Sequence, residues 1–282
     1  MKLRVALAQI NPTVGDLAGN AGLIAQSVKS AQVQGADLIV FPEMIVTGYP
    51  VEDLALRPSF QAASIKAVEE IAAGITGDLV AVVGYLDKGP KNAVAVIHDG
   101  KIKARYVKRH LPNYGVFDEF RNFVAGDQSL VVRIHGVDVA VAICEDIWHS
   151  LESIAARTPG LLVVPNGSPY ERNKDDVRLA LVQKRAKEIG APVAYVNMTG
   201  GQDDLVFDGD SIVVGKDGSV LARTAQFDDQ LIVVDIDCVE GSSRPDVVIS
   251  EEQTSHADSA APVVATRLSN EAEMWQGLVM GL

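Results

Sequence analysis

The sequence predicts an α/β fold in which two mixed β-sheets stack on each other and helices cover the outside. It contains about a dozen strand-like runs, more than the roughly 4 to 6 strands of an ordinary sheet. Several runs are apolar at nearly every residue, which is typical of strands buried on both faces. Some connections are tight glycine turns such as Asp99-Gly100, whereas others are long enough for a helix. Each sheet should therefore contain both antiparallel and parallel pairs.

Strands and helices follow one another along the first part of the chain. Apolar runs and alternation predict strands over residues 3–10, 36–41, 78–86, 92–100, 101–108, 129–136, 137–144, 160–165, 191–197, 210–215, 219–225 and 230–237. A period of 3.6 residues predicts helices over residues 20–34, 59–74 and 173–189. We assign all of these elements to one domain, residues 1–240.

The chain changes character after residue 240. Residues 241–270 are small, polar and poor in aromatics, which is typical of a linker or of an arm lying over a surface. Asn270 and the acids after it predict a helix start, so residues 271–282 should begin a helix. Its apolar face consists of Met274, Trp275, Leu278, Val279 and Leu282. Because this face has no continuation here, we expect it to dock on a partner or to lead into a further domain.

Composition argues against several classes of protein. The net charge of −12 disfavours nucleic acid as the main partner, because such binding needs a concentrated basic surface. No stretch approaches the ~18 apolar residues of a membrane span, and the N-terminus lacks a signal-peptide core. Cys144 and Cys238 can form at most one bridge, and the 5 histidines lack metal-site spacing. We expect a cytoplasmic protein without a metal.

Three reactive side chains stand where predicted strands end: Glu43, Lys108 and Cys144. The ends of strands are where α/β proteins meet their ligands. Singly, each residue has a structural explanation, as a loop acid, an edge charge and a small core residue. Together they form a chemical unit, because a thiol with a pKa near ~8.5 needs a base, and an ammonium group can stabilise the charge that develops. The pattern indicates acyl chemistry at a cysteine.

Longer motifs surround these residues. The segments FPEMIVTGYP, YVKRHLPNYGVFDEFRNF and AICEDIW resemble the glutamate, lysine and cysteine signatures of the nitrilase, or carbon-nitrogen hydrolase, superfamily. More narrowly, GYPVEDL, KRHLPNYGVFDE, NGSPYERNKDDVR and GGQDDLVFDGDS resemble the N-terminal glutaminase domain of glutamine-dependent NAD+ synthetases. The resemblance runs from Val5 to the last residues. It implies a nitrilase-like, four-layer α-β-β-α sandwich, which the strand count also favours.

The resemblance implies a role for each matching residue. Glu43 would be the general base, Lys108 the cation that stabilises the oxyanion, and Cys144 the nucleophile that forms a glutamyl thioester and releases ammonia. Glu119 matches an additional acid that many members place near the cysteine, although a solvated loop acid is the alternative. Tyr49 would line the pocket, or else be a core aromatic with a bonded hydroxyl. We assign glutamine binding to Tyr114, Ser168, Lys174, Tyr49 and Glu145.

Some segments depart from the family pattern. Where relatives commonly read KRYF or RRYF after VFDE, this chain has Phe120 and Asn122 in FRNF. Where many have Asn-Gln-Val-Gly-Gly, residues 197–201 read NMTGG. The Ser-Gly-Gly-x-Asp-Ser loop of the synthetase module is absent, so we expect no cofactor in this domain. ATP and Mg belong with the synthetase domain that this chain lacks.

Three functions stay open on the sequence alone. The chain is a glutaminase domain that supplies ammonia for NAD+ synthesis, a free-standing amidase or ω-amidase acting on another small amide, or a catalytically idle domain kept for assembly. Turnover of glutamine against other amides separates the first two, and thiol labelling separates both from the third. The expected partners are L-glutamine, the absent synthetase domain and further copies of the chain in a homo-oligomer.

Overall fold

The computed structural model describes residues 1–172, 174–256, 260–261 and 263–282, without the side chains of residues 174–176. Its strands are β1 (Lys2–Gln9), β2 (Leu38–Val40), β3 (Val80–Asp87), β4 (Lys91–His98), β5 (Lys101–Val107), β6 (Leu130–Ile134), β7 (Val137–Val141), β8 (Leu161–Asn166), β9 (Val193–Asn197), β10 (Thr199–Gln202), β11 (Leu205–Asp208), β12 (Ile212–Val214), β13 (Val220–Arg223), β14 (Gln230–Asp237) and β15 (Val247–Val248). Its α-helices are α1 (Leu17–Val33), α2 (Pro58–Gly74), α3 (Glu119–Asn122), α4 (Glu152–Ala155), α5 (Lys174–Ile189) and α6 (Asn270–Met280). Two short 3₁₀ helices span Glu52–Leu56 and Cys144–Trp148.

Thirteen of these strands form two sheets. One has six strands in the order β14-β1-β2-β3-β4-β5, and the other has seven in the order β13-β12-β9-β8-β7-β6-β15. In the first sheet β1, β2 and β3 run parallel, while β14, β4 and β5 pair antiparallel with their neighbours. The second sheet has β7, β8 and β9 parallel at its centre. The prediction of two mixed sheets is confirmed.

Alternating side chains bind the layers together. On β1, Leu3, Val5 and Leu7 pack in one cluster with residues of the second sheet, such as Val139 and Val163. The intervening Ala6 and Ala8 pack instead with residues of α1 and α2. The outer face of the second sheet packs on α5 in the same way, through Val182, Ala186 and Ile189. Since strand side chains alternate between faces, this arrangement gives helix, sheet, sheet and helix layers, as predicted.

Three differences from the sequence prediction concern the strands. The strand predicted over residues 137–144 ends at Val141, so Cys144 lies beyond it in a 3₁₀ helix. The hairpin of β10 and β11 was not predicted, because the TGGQ segment of β10 lacks the apolar alternation of a strand. Residues 241–270 contain β15, which pairs in parallel with β6.

Two described parts of the segment after residue 240 pair with strands on opposite sides of the second sheet. β15 extends the sheet beyond β6. Further on, the backbone N–H of Arg223 on β13 donates to the Val263 carbonyl at 2.7 Å, and Ala265 N donates back to Arg223 O at 3.0 Å. Residues 247–248 therefore pair with β6, and Val263 and Ala265 bond to β13, on opposite sides of the sheet.

Helix α6 packs on the domain through a face that the sequence did not predict. Glu273 and Gly277 are buried, and a Cβ on Gly277 would lie 3.1 Å from the Tyr170 ring. The predicted apolar face points outwards, with Trp275 65% and Leu278 67% exposed. Among the described residues, no helix is both long and apolar enough to cross a bilayer.

Candidate active site

Glu43 lies in the turn after β2 and is completely buried. Its Oε1 accepts hydrogen bonds from Lys108 Nζ at 2.7 Å and Asn92 Nδ2 at 2.6 Å. Its Oε2 accepts one from the Gly167 backbone N–H at 2.9 Å. Three donors on two oxygens fix the carboxylate in one orientation, as a buried charge requires.

Two glycines let the chain approach this carboxylate closely. A Cβ on Gly84 of β3 would lie 2.3 Å from Met44 N, so only glycine leaves room for the turn that carries Glu43. A Cβ on Gly167 would lie 2.9 Å from Cδ1 of Tyr49 and 3.4 Å from Oε2 of Glu43. Both sites need a residue without a side chain, because the neighbouring atoms already fill the space.

Lys108 is the first residue after β5 and is buried between two carboxylates. Its Nζ donates to Glu119 Oε1 at 2.9 Å as well as to Glu43. Burial alone would lower the pKa of Lys108, but the charges of Glu119 and Glu43 outweigh it and raise this pKa well above its ordinary value. Lys108 is therefore a permanent ammonium group.

Glu119, at the start of α3, carries the spare negative charge of this cluster. Burial raises its pKa to about 7, a rise that Lys108 reduces and that Glu43 reinforces. The Tyr49 hydroxyl donates to Glu119 Oε1 at 2.9 Å. Burial and Glu119 raise the pKa of Tyr49 well above its ordinary value, so the hydroxyl stays a donor. The structure thus places Tyr49 against Glu119.

Cys144 is the first residue of the 3₁₀ helix after β7 and has a left-handed backbone, with φ at +43°. Burial raises the pKa of its thiol well above the ordinary value, Glu43 raises it further, and Lys108 opposes both. The charges of Glu43, Lys108 and Glu119 therefore all act on this sulfur. Because the resting thiol is protonated, attack on a carbon centre needs a base to remove its proton.

The rim of the site is formed by aromatic and acidic side chains. Tyr114 is about half exposed, and its hydroxyl donates to Glu145 Oε2 at 2.8 Å. The other oxygen of Glu145 lies 3.4 Å from His149 Nε2. The His149 ring stacks on His110 with 3.9 Å between centroids. Glu145 is itself buried, so its carboxylate lies beneath the half-exposed Tyr114.

Ser168 lies on another side of the same site. Its backbone N–H donates to Asn197 Oδ1 at 2.8 Å, and Asn197 Nδ2 donates to the Ser168 carbonyl at 3.1 Å. Its side chain hydrogen-bonds to Tyr195, a residue on which charge at Cys144 also acts. The side chain of Lys174 lies outside the described residues.

The FRNF segment, which departs from the family pattern, has mixed exposure. Phe120 is 68% exposed, whereas Asn122 is buried and its Nδ2 donates to Glu52 Oε2 at 3.4 Å. Arg121, between them, lies 3.3 Å from the same Glu52 oxygen. This anchors α3, and with it Glu119, to the 3₁₀ helix at Glu52–Leu56.

Sequence reasoning missed the residues that hold the reactive groups in place. Asn92 and Gly167 bind Glu43, and Asp146 receives hydrogen bonds from residues on either side of Lys108. Asn92 had a signal, since it is an amide in an otherwise apolar strand. Asp146 follows Cys144 by two residues but resembles an ordinary loop acid.

No metal site is found in the part of the chain that the structure describes, where no three His, Cys, Asp or Glu side chains gather to hold an ion. Both cysteines are free thiols and both are buried. Cys238 lies at the end of β14, where its Sγ is 3.5 Å from the Ile236 carbonyl.

Several curated proteins are similar to this chain. A protein of Xanthomonas campestris pv. campestris named "Glutamine-dependent NAD(+) synthetase" is 41% identical over 295 residues, covering 99% of this chain and 53% of the relative. One with the same name from Thermotoga maritima is 37% identical, covering 100% and 53%. The chain therefore spans about half the length of these relatives.

Solved structures are similar as well. The glutamine-dependent NAD+ synthetase of Acinetobacter baumannii matches with a TM-score of 0.84 at 34% identity, over 100% of this chain and 51% of that one. An amidase of Nesterenkonia sp. AN1 from the nitrilase superfamily matches with a TM-score of 0.70 at 28% identity, over 83% and 90%. Another structure of that amidase, with a TM-score of 0.72 at 27% identity over 85% and 91%, shows covalent addition of the acetamide moiety of fluoroacetamide at its active site cysteine.

The family assignment follows from the match to residues 4–244, which comprise most of the chain. These residues contain both sheets except for β15 and the first two residues of β1, together with helices α1 to α5 and the entire polar cluster. The chain belongs to the carbon-nitrogen hydrolase family.

Proposed function

We propose that this chain is a glutaminase domain that releases ammonia from L-glutamine through a thioester at Cys144. The observation that carries the proposal is the buried cluster in which Lys108 binds both Glu43 and Glu119 and acts, with them, on the Cys144 thiol. The relatives named glutamine-dependent NAD(+) synthetase support the choice of glutamine. In that setting the ammonia would serve NAD+ synthesis in a second domain, which would also bind ATP and Mg.

In the first half of the reaction, Glu43 removes the thiol proton as the sulfur attacks the carboxamide carbon. Lys108 lies beside the carboxylate that takes the proton, so its ammonium can stabilise the negative oxygen of the tetrahedral intermediate, an effect worth about 3 to 4 kcal/mol. Glu43 then returns the proton to the nitrogen, and ammonia leaves as the C–N bond breaks. The product is a glutamyl thioester on Cys144.

In the second half, a water molecule replaces the departed ammonia. Glu43 removes a proton from this water, which attacks the thioester carbon, and the sulfur leaves and regains a proton. Glutamate is released. The same base and the same ammonium serve both halves, because the two tetrahedral intermediates carry their negative oxygen at one place.

Glutamine differs from a simple amide in its charged α-amino and α-carboxylate groups. Glu145 supplies a carboxylate suited to the ammonium end, with Tyr114 bound to it at 2.8 Å. Ser168 and Lys174 are proposed to hold the carboxylate end together with Tyr114. We also propose that the protein is cytoplasmic and forms a homo-oligomer.

Mass spectrometry of the intact protein tests the mechanism. Wild-type protein quenched in acid during turnover of glutamine should show one glutamyl adduct, whereas Glu43→Gln should show neither adduct nor ammonia release, because both halves of the reaction need that base. Cys144→Ala should show no adduct and no ammonia release. Cys238→Ala, which removes the other buried thiol, serves as the matched control and should behave as the wild type.

Substrate comparison tests the choice of glutamine. We expect glutamine to be hydrolysed in preference to asparagine and to aliphatic amides, with Tyr114→Phe reducing that preference. Equal turnover of aliphatic amides would favour a free-standing amidase. An unreactive Cys144 with none of these substrates turned over would favour an assembly domain.

A further inference from the structure

Asp146 is a buried carboxylate that accepts four hydrogen bonds. Its Oδ1 accepts from the backbone N–H groups of Arg109 at 3.0 Å and His110 at 2.9 Å. Its Oδ2 accepts from the Tyr106 hydroxyl at 2.7 Å and from the Ile143 backbone N–H at 2.9 Å. The donors come from both sides of Lys108 and from the residue before Cys144.

The turn that contains Cys144 needs such support. A non-glycine residue at φ +43° costs about 1 to 3 kcal/mol and persists only where the surroundings hold it. Asp146 closes this turn reciprocally, since its own N–H donates to the Ile143 carbonyl at 2.9 Å while its side chain accepts from Ile143 N. The carboxylate thus holds the backbone immediately before the nucleophile.

We propose that Asp146 is a positioning residue that fixes the sulfur of Cys144 relative to the ammonium of Lys108. One carboxylate joins the end of β5, which carries Lys108, to the turn after β7, which carries Cys144. Activation of the thiol depends on the position of the sulfur relative to the ammonium group, because a displacement of reacting groups by about 1 Å can lower the rate about 100-fold. The inference rests on the proposed function for its catalytic meaning, but not for its geometry.

Asp138 provides a matched control at the opposite end of β7. It is also fully buried and also accepts four hydrogen bonds, two from the Arg133 guanidinium and two from the N–H and hydroxyl of Ser243, at 2.8 to 3.2 Å. Replacing either aspartate by asparagine disturbs four hydrogen bonds. Asp138 lies on β7, and Asp146 lies shortly after it. Only Asp146 is joined to the segment of Lys108.

The experiment measures the rate at which iodoacetamide alkylates Cys144, in a Cys238→Ala background so that one thiol reacts. We expect Asp146→Asn to slow alkylation and to lower kcat on glutamine by about 100-fold, with KM changed far less. Tyr106→Phe removes one of the four donors and should slow both by about tenfold, the size of one hydrogen bond to a charged group. Asp138→Asn should lower Tm but leave both rates unchanged.

The sign of the effect separates positioning from general loosening. A destabilised protein exposes its buried thiol and reacts faster, whereas a displaced thiol that has lost its base reacts more slowly. Faster or unchanged alkylation in Asp146→Asn would overturn the proposal, as would equal slowing in Asp138→Asn. If Asp146→Asn fails to fold, Tyr106→Phe decides by the same criterion. A wild-type chain that does not hydrolyse glutamine would count against the proposed function, and alkylation alone would then decide on Asp146.

Discussion

Two buried ionic clusters in this chain differ in their charge balance. Around Lys108, two carboxylates share one ammonium group. Elsewhere Arg178 binds Asp208 through two hydrogen bonds, and Arg223 binds Asp210 through two more, at 2.6 and 2.8 Å. The second cluster matches each cation with one anion.

The difference shows which cluster can exchange a proton. In the matched cluster burial raises the pKa of Asp210, but Arg223 and Arg178 oppose the rise, so no anion is in excess and the pairs contribute to the fold. The cluster around Lys108 has one carboxylate too many, and burial of that excess raises the pKa of Glu119 to about 7. Excess charge in a buried site is costly, which is why strongly shifted groups are typical of functional sites.

The largest effect is expected from Lys108→Met, which leaves two buried carboxylates without a cation. Glutamine turnover should fall by at least about 1,000-fold and the free energy of unfolding by about 3 to 5 kcal/mol. Steady-state kinetics and urea denaturation measure the two quantities. Lys66→Met, which removes an exposed partner 3.5 Å from Glu70, should change stability by less than about 1 kcal/mol. Near-normal turnover in Lys108→Met would show that the reaction does not need the ammonium group.

The matched cluster should respond in stability alone. Arg223→Met leaves Asp210 buried without its cation, so we expect the free energy of unfolding to fall by about 3 to 5 kcal/mol. Alkylation of Cys144 in the folded protein should keep its rate. Adding Asp210→Leu should recover most of the lost stability. Lys108→Met with Glu119→Leu should recover only part of the stability and none of the turnover, because Glu43 stays buried without a cation. Slower alkylation in Arg223→Met would show that the clusters are coupled.

The excess carboxylate should also give the protein a characteristic pH dependence. The folded state holds the proton of Glu119 up to about pH 7, while the unfolded state releases it near 4.5, so the folded state binds more protons between these values. The free energy of unfolding should therefore decline as pH rises through this window and level off above it. Glu119→Gln should remove this component of the slope. The free energy of unfolding is measured by urea denaturation at each pH. If it changes with pH in the same way in both proteins, the raised pKa does not belong to Glu119.

The smallest effect is expected from Gly84→Ala, which displaces Glu43 without changing any charge. The new Cβ would lie 2.3 Å from Met44 N, so the turn must shift, at a cost of about 1 to 3 kcal/mol. Turnover should fall along with stability. Gly22→Ala in α1, where the added atom meets nothing within 4 Å, should instead stabilise the protein by about 1 kcal/mol. Unchanged turnover in Gly84→Ala would show that Glu43 tolerates displacement.

The fold was largely predictable because apolar character marks its strands. Runs such as VAVVGYL and VAVAI are buried on both faces, and the helices between them follow a 3.6-residue period. β10 and β15 were not predictable. The first is rich in glycine, and the second consists of two valines in a polar segment that become a strand only by pairing with β6.

The reactive residues were easier to predict than the groups that hold them. Glu43, Lys108 and Cys144 each come where a predicted strand ends, and Glu43 and Cys144 interrupt apolar runs. Their supports are separated from them by long stretches of chain, 49 residues between Asn92 and Glu43 and 124 between Gly167 and Glu43. A backbone N–H has no sequence signature, so the Gly167 contact follows only from the stacking of two sheets.

The pairing of β15 with β6, and of Val263 and Ala265 with β13, affects how shortened versions of this protein behave in solution. An unpaired outer strand invites intermolecular β-addition, the first event in many fibrillar deposits. β15 shields β6, and the Val263 and Ala265 backbone shields β13. A protein truncated after residue 240 should therefore aggregate, whereas one truncated after residue 265 should remain soluble.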